Sequence, residues 1–351
     1  MLPPLHLRES VKAAIEMDAK VNVTTMWQIN WSAQWTFRWD VSVLGPLGYS
    51  EPTGMRVHVY ALDSKRQHKY HEELNFYGTS SNFPLFFGTY DLLFHNNDSG
   101  ALQFRQEEGA DDIVAFTRVI SKGLKDAAPI QSVEQKTNPR SEARAPEAEP
   151  VILMPDDLFS LFDQNQEISE DLTKYEFIDG KYVIRIEGEL FPSTYIYLVQ
   201  IKLVNNGDRV VGSAGGAALT GTSSSVNLRN RQTSPETASV MTDVYFDSVN
   251  DMLGARFMTF GIPGCNPYDA ASVAASESTH FLVLNVSYGN GTYKNIRVDV
   301  TDQLRALPLG GVITLELDVN DFPPEGGGGG GGFEPLIDEW EQETGGTTIK
   351  R

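Results

Sequence analysis

The residues of this chain that could do chemistry are few, and their spacing decides what they can do. His68 and His71 stand three positions apart, a separation that could ligate a metal, but His68-Lys69-Tyr70-His71 lies in a polar segment with no matching third ligand. Gly212 to Gly216 reads Gly-Ser-Ala-Gly-Gly, which lacks the Lys-Ser/Thr of a phosphate loop and any strand-to-helix context. Asp111-Asp112 and Asp156-Asp157 read as turn or helix-start acids rather than a catalytic pair. The single cysteine, Cys265, rules out an internal disulfide and a cysteine zinc cluster. It sits in a turn-like Gly-Ile-Pro-Gly-Cys-Asn-Pro segment, where a structural thiol is expected. A nucleophile elbow is absent too. The expectation is a chain that is not an enzyme and holds no metal or cofactor.

What remains is aromatic chemistry. From residue 21 to 43 the apolar residues Val21, Val23, Trp27, Ile29, Trp31, Trp35, Phe37, Trp39, Val41 and Val43 occupy odd positions and polar residues the even ones, with Met26 alone breaking the polar register and Thr25 and Ala33 softening the apolar one. A helix would align the four tryptophans in a drifting stripe but throw Ile29 and Phe37 among Gln28, Asn30 and Arg38, so period two is preferred. At about 3.3 Å per residue such a strand would exceed roughly 70 Å, so it must bend, bulge or switch sheets. Trp27, Trp31, Trp35 and Trp39 then form either the core of a β-sandwich or a platform on which sugars or another chain could stack.

Composition bounds the partners. The chain has 351 residues, 40% of them hydrophobic, which suffices for two domains with cores. A formal charge of -19 argues against nucleic-acid binding, which needs clustered Lys and Arg. No apolar run has the length of a transmembrane helix, and no signal peptide opens the chain.

Strands are expected at 55–62, in two pieces within 83–94, and at 101–105 and 113–119, completing an N-terminal β domain over residues 1–124. Residues 125–150 are rich in Ala, Pro, Glu, Gln, Ser and Arg and read as a flexible linker. Met154-Pro155-Asp156-Asp157 looks like a short helix start. A second β domain, 151–322, is expected from about seven strands at 182–190, 195–204, 239–246, 255–260, 281–288, 292–300 and 312–319. Asn205-Asn206-Gly207 and Gly289-Asn290-Gly291 are hairpin signals, while 212–225 could be a loop or a strand of small residues. Residues 323–351 form an acidic tail: seven glycines, Gly326 to Gly332, precede Phe333-Glu334-Pro335-Leu336-Ile337-Asp338-Glu339-Trp340. The tail reads as solvated, or as a tethered peptide docking through Phe333, Leu336, Ile337 and Trp340.

Three segments, Gly54 to Tyr60, Gly88 to Asn96, and Pro324-Glu325 with the glycine run through Trp340, together resemble a domain-of-unknown-function family of Bacteroidetes cell-envelope lipoproteins. That family is similar to the fimbrillin and Mfa-like group of type V pilus and adhesion proteins. The opening Pro3-Pro4-Leu5-His6-Leu7 resembles the residues that follow the lipid-bearing cysteine of such precursors. The resemblance implies two transthyretin-like, fimbrillin-like β-sandwich domains, a lipid anchor at the outer-membrane surface in the native precursor, and a non-catalytic role. This chain lacks the signal peptide and lipidated cysteine of that pattern. The expected work is adhesion or service as a fimbria accessory or anchor subunit, with other protein subunits or host-surface ligands as partners. The alternative is a surface glycan-binding protein using the aromatic platform.

Overall fold

The computed structural model describes residues 17–25, 33–105, 113–124, 128–130 and 149–325. In chain order its strands are β1 (Met17–Thr25), β2 (Gly54–Leu62), β3 (His68–Tyr77), β4 (Ser80–Leu85), β5 (Gly88–Asn96), β6 (Gln103–Arg105), β7 (Val114–Phe116), β8 (Val119–Ser121), β9 (Ala128–Ile130), β10 (Val151–Ile152) and β11 (Phe159–Ile168). They continue as β12 (Glu176–Ile178), β13 (Lys181–Pro192), β14 (Tyr195–Val204), β15 (Val210–Ser223), β16 (Ser225–Asn227), β17 (Thr237–Thr242), β18 (Tyr245–Asp247), β19 (Met252–Thr259), β20 (Phe281–Tyr288), β21 (Tyr293–Asp299) and β22 (Gly311–Asp318). The helices α1 (Val41–Leu44), α2 (Ala270–Ala274) and α3 (Thr301–Ala306) are short. Among the described residues no helix is long and apolar enough to cross a membrane.

The fold is mainly β and sandwich-like, as expected. In the first sandwich β3, β2, β5 and β11 lie side by side, β11 touches β13 only through Phe159–Pro192 and Ser160–Phe191, and the sheet continues as β13, β1, β4. Because β3 and β4 sit at opposite ends of this path yet are joined by Gly78 and Thr79, the sheet must fold back on itself. Val57 and Val59 of β2, Leu92 and Phe94 of β5, Phe83 and Leu85 of β4, and Ile184 and Ile186 of β13 fill the space between its two halves. On β4 these residues alternate with outward ones, as a half-buried strand requires, whereas β2 and β5 are buried on both faces.

The second sandwich packs the sheet β18-β19-β14-β22 against β8-β10-β17-β15-β20-β21-β9. Strand β14 belongs to both cores. Tyr197, Val199, Ile201 and Leu203 point into the second, while Ile196 and Leu198 point into the first. Burial on both faces explains its nearly unbroken apolar sequence. A small sheet, β16-β7-β6, covers the outer side of β2 and β5, where the Phe104 and His95 rings lie 4.5 Å apart.

Strands from both sides of residues 125–150 share each sandwich. β11 and β13 join the first, and β8 and β9 join the second, so Ala128–Ile130 of the expected linker is a strand pairing with β21. The stretch 212–225 is largely strand: β15 runs to Ser223 with bulges. At one of them Gly221 has φ +71°, and a Cβ there would lie 2.0 Å from the Thr279 carbonyl oxygen. Gly289-Asn290-Gly291 joins the β20–β21 hairpin, but Asn205-Asn206-Gly207 carries the chain from one sheet to the other. The Asn206 side chain accepts from Val210 N at 2.8 Å and donates to Asp251 at 2.7 Å, so it pins a crossing rather than a hairpin.

Candidate binding surfaces

The long aromatic strand is the main correction. Strand β1 ends at Thr25, residues 33–40 form no strand, and α1 follows. The alternation fails because Asp40 caps α1, accepting from Ser42 N at 3.0 Å and Ser42 Oγ at 2.6 Å, and Gly45 follows at φ +81°. Val41 and Val43, read as inward strand residues, are 57% and 75% exposed.

The segment instead lies as a strap across the outer face of β19 and β14. Gln200 on β14 accepts from Thr36 N at 2.9 Å and Thr36 Oγ1 at 3.1 Å. Its amide donates to the Gln34 carbonyl at 2.7 Å and to Thr314 Oγ1 on β22 at 2.9 Å. Phe37 is buried on bare backbone at Gly254, where an added Cβ would meet three ring atoms at 2.7 Å. Trp35, Phe37 and Trp39 pack on one another with centroids 5.6 to 6.3 Å apart, and Trp39 meets Tyr245 at 5.2 Å. Trp39 Nε1 donates to the Gly45 carbonyl at 2.9 Å. Trp35 and Trp39 are both half-buried, so they are neither full core nor an open platform. Trp27 and Trp31, and Phe333, Leu336, Ile337 and Trp340 of the tail, lie outside the described residues.

Between the sandwiches a cleft of about 390 Å³ is lined by Glu51, Asp98, Asp156, Asp157, Arg256 and Met258, among others. Here the expected helix at residue 154 is replaced by loop. Asp156 accepts from Ser99 Oγ at 2.7 Å and from Gly100 N and Ala101 N, each at 2.9 Å. Asp157 accepts from Ser50 N at 2.7 Å and stands 3.9 Å from Arg256, which donates to the Leu47 and Gly48 carbonyls. Burial raises the Asp157 pKa against the pull of those donors. Asp156 and Asp157 therefore serve mainly to bind loops together.

Sequence gave no sign of the buried histidines. His58 of β2 and His95 of β5, diagonal neighbours since His58 pairs with Leu93 and His95 with Arg56, bring their Nε2 atoms to 3.0 Å. His95 also bonds the Asn96 carbonyl at 2.8 Å, and burial lowers its pKa to about 4. His280, likewise lowered to about 4 by burial and then by Arg305, contacts Ser278 Oγ at 3.2 Å. That contact resembles a nucleophile–base pair, but Arg305 acts on the ring more strongly than Asp299, the carboxylate that such a base would use. Cys265 is buried with its thiol on the Ile262 carbonyl, the structural role expected of it. Among the described residues no group of three or more His, Cys, Asp or Glu is placed to hold a metal ion.

The remaining feature is the position of β1. It runs parallel to β13 from Met17–Tyr182 to Thr25–Leu190, and antiparallel to β4 from Met17–Leu85 to Asn22–Ser80. A strand from the start of the chain thus fills the middle of a sheet whose neighbours come from elsewhere. Register of this kind depends on long-range pairing, so sequence could mark the strand but not its place.

The model of the family described as domain of unknown function DUF5119 matches residues 41–243, more than half of the chain. A candidate adhesin of Bacteroides ovatus is similar in fold, with TM-score 0.54 and 15% identity over 93% of this chain and 100% of that one. Two others are more distant. Candidate polysaccharide-binding proteins of Bacteroides thetaiotaomicron give TM-score 0.45 at 7% identity, over 86% of this chain and 90% of theirs. The fimbrial anchor protein Mfa2 of Porphyromonas gingivalis gives 0.43 at 13%, with the same coverage. No curated protein matches the sequence.

Proposed function

Since this chain belongs to the DUF5119 family, we propose that it is a non-catalytic cell-surface protein, an adhesin or a fimbrial accessory or anchor subunit, whose work is binding other proteins. The observation that carries the reading is the slot of β1. If β1 leaves, β13 and β4 each present a row of unpaired backbone groups on either side of a nine-residue gap, and an incoming strand can bond to both. Such binding draws most of its affinity from main chain, so it needs no catalytic constellation. The candidate adhesin that shares the fold supports the surface role. The tail adds a second contact, with Phe333, Leu336, Ile337 and Trp340 docking on this chain or a partner at the end of the glycine tether. We place the native precursor at the outer-membrane surface, held by a lipid anchor, on the strength of its opening residues.

A glycan-binding reading is favoured by one observation, the half-exposed corner where Trp39 meets Tyr245. One experiment separates the two. Beads coated with the full chain are tested for adhesion to host cells and to cells of the source bacterium, each treated with protease or with periodate. Adhesion lost to protease and kept after periodate supports protein binding, and the opposite pattern supports the glycan reading. Beads that adhere to neither cell type would remove the adhesion claim.

A further inference from the structure

Strand β13 is paired along the whole of one edge but only at the two ends of the other. On the first edge β1 runs beside it from Tyr182 to Leu190. On the second, β12 pairs with residues 181–183, and β11 pairs with Phe191 and Pro192 before turning away along β5. Asp179 and Gly180, at φ +52° and +85°, make the two-residue turn that sets Ile178 and Lys181 as a hydrogen-bonded pair. At a strand's period of two, Val183, Arg185, Glu187, Glu189 and Phe191 then turn their N–H and C=O groups to that same side. Ser193, next in the series, does so by donating to the Leu158 carbonyl at 2.7 Å. β12 and β11 thus hold the two ends of one track, and beside residues 184–190 that track carries no strand among the described residues. The backbone groups of Arg185, Glu187 and Glu189 face the empty stretch. The edge of β11 is guarded by a bulge between Asp163 and Gln166, with Asn165 at φ +60°, whereas β13 keeps unbroken register with β1.

We propose that residues 184–190 receive an extended segment of another protein while β1 stays seated, which rests on the reading that this chain works by binding strands. The side chains along the edge say which segment fits. Ile184, Ile186 and Leu190 are buried on the core side, and Gly188 leaves that row without a side chain. An aromatic residue on the facing strand covers such a gap. On the solvent side Arg185 pairs with Glu176 at 2.7 Å, so Glu187 and Glu189 set the charge of the edge. The matching segment is therefore basic, aromatic and basic opposite Glu187, Gly188 and Glu189, with apolar residues on either side. A formal charge of -19 sets a second copy of this chain against itself and favours a basic partner.

The test uses the full chain and a fluorescent peptide, Val-Arg-Phe-Arg-Val with blocked ends, read by anisotropy and by hydrogen exchange with mass spectrometry. Its sequence is symmetric and fits either strand direction. Saturable binding with slowed exchange across residues 184–190 is expected. Glu187→Pro removes an N–H that faces the track and spares the ladder to β1, and should weaken binding at least about tenfold. The Glu187→Lys and Glu189→Lys double variant should weaken it as much, with melting used to show that each variant is folded. Arg-Arg-Val-Val-Phe, the same residues without alternation, should bind at least about tenfold more weakly than the test peptide. No binding at peptide concentrations on the order of 1 mM overturns the proposal. Equal binding of the rearranged peptide, or undiminished binding by both folded variants, overturns it too. Failure here with bead adhesion to cells intact leaves the surface reading standing, whereas peptide binding without any adhesion removes that reading alone.

Discussion

If Phe37 holds the strap on the sheet by packing against a residue without a side chain, then Phe37 and Gly254 must be energetically coupled. Phe37→Ala removes a ring that is 5% exposed and leaves a gap above Gly254. The loss should be about 3 kcal/mol, the low end for a buried phenylalanine because the strap can partly relax. At about 2 °C per kcal/mol for a chain of this size, melting should fall by roughly 6 °C. Gly254→Ala alone would put a Cβ at 2.7 Å from three ring atoms and should cost about 1 to 3 kcal/mol by overpacking. In the Phe37→Ala background the clash is gone and the same change should cost little. A double-mutant cycle by denaturant unfolding should then give a coupling of about 1 kcal/mol or more. Additivity within roughly 0.5 kcal/mol would refute the packing argument.

Gln200→Ala removes the side chain that ties Gln34, Thr36 and Thr314 together, and should cost about 2 to 3 kcal/mol in urea unfolding while raising protease cleavage within 33–40. Asp156→Ala leaves Gly100 N without its acceptor and Ala101 N with Ser99 Oγ alone, and should cost about 2 kcal/mol and speed amide exchange most at Gly100. His95, with a folded pKa of about 4 against 6.5 unfolded, contributes no penalty above pH 6.5. As pH falls from 6.5 to 4 the unfolded state takes up the proton first, so stability is lost by about 3 kcal/mol. His95→Gln should flatten that limb in unfolding measured at pH 7 and 4.5, while the His280 contribution persists. Deleting residues 326–351 should lower the melting temperature or alter assembly if the tail docks, and change neither if it does not.

The class of fold was legible because short apolar runs stand between turn signals, alternating at Gly54–Leu62 and nearly continuous at Phe281–Tyr288. Residues 33–43 misled for a physical reason. Asp40 and Gly45 carry the local capping signal, yet a tryptophan-rich alternation outweighed it, and the partner that holds Phe37 flat is a glycine more than 200 residues away. Strand β3 was missed because His68 to His71 and Glu72-Glu73 look polar, although the edge of a sheet tolerates polar residues. Asn205-Asn206-Gly207 has hairpin chemistry, but Asn206 spends it on Val210 and Asp251. For the candidate surfaces, the sequence marked Trp35 and Trp39 but not Tyr245, Gly254, Gln200 or Thr314, whose roles exist only once distant strands are paired. The His58–His95 contact depends likewise on the register of β2 with β5.

The slot of β1 is tested most directly by exchange. A protease site placed between residues 26 and 32 allows the first strand to be severed from the folded chain while it remains seated between β13 and β4. A fluorescent peptide of residues 17–25 is then incubated with cut and uncut protein and its uptake followed by anisotropy and gel filtration. The account predicts stable incorporation into the cut protein, competed by unlabelled peptide, and none into the uncut. Cut protein that takes up no peptide while keeping its fold would contradict strand binding at this slot.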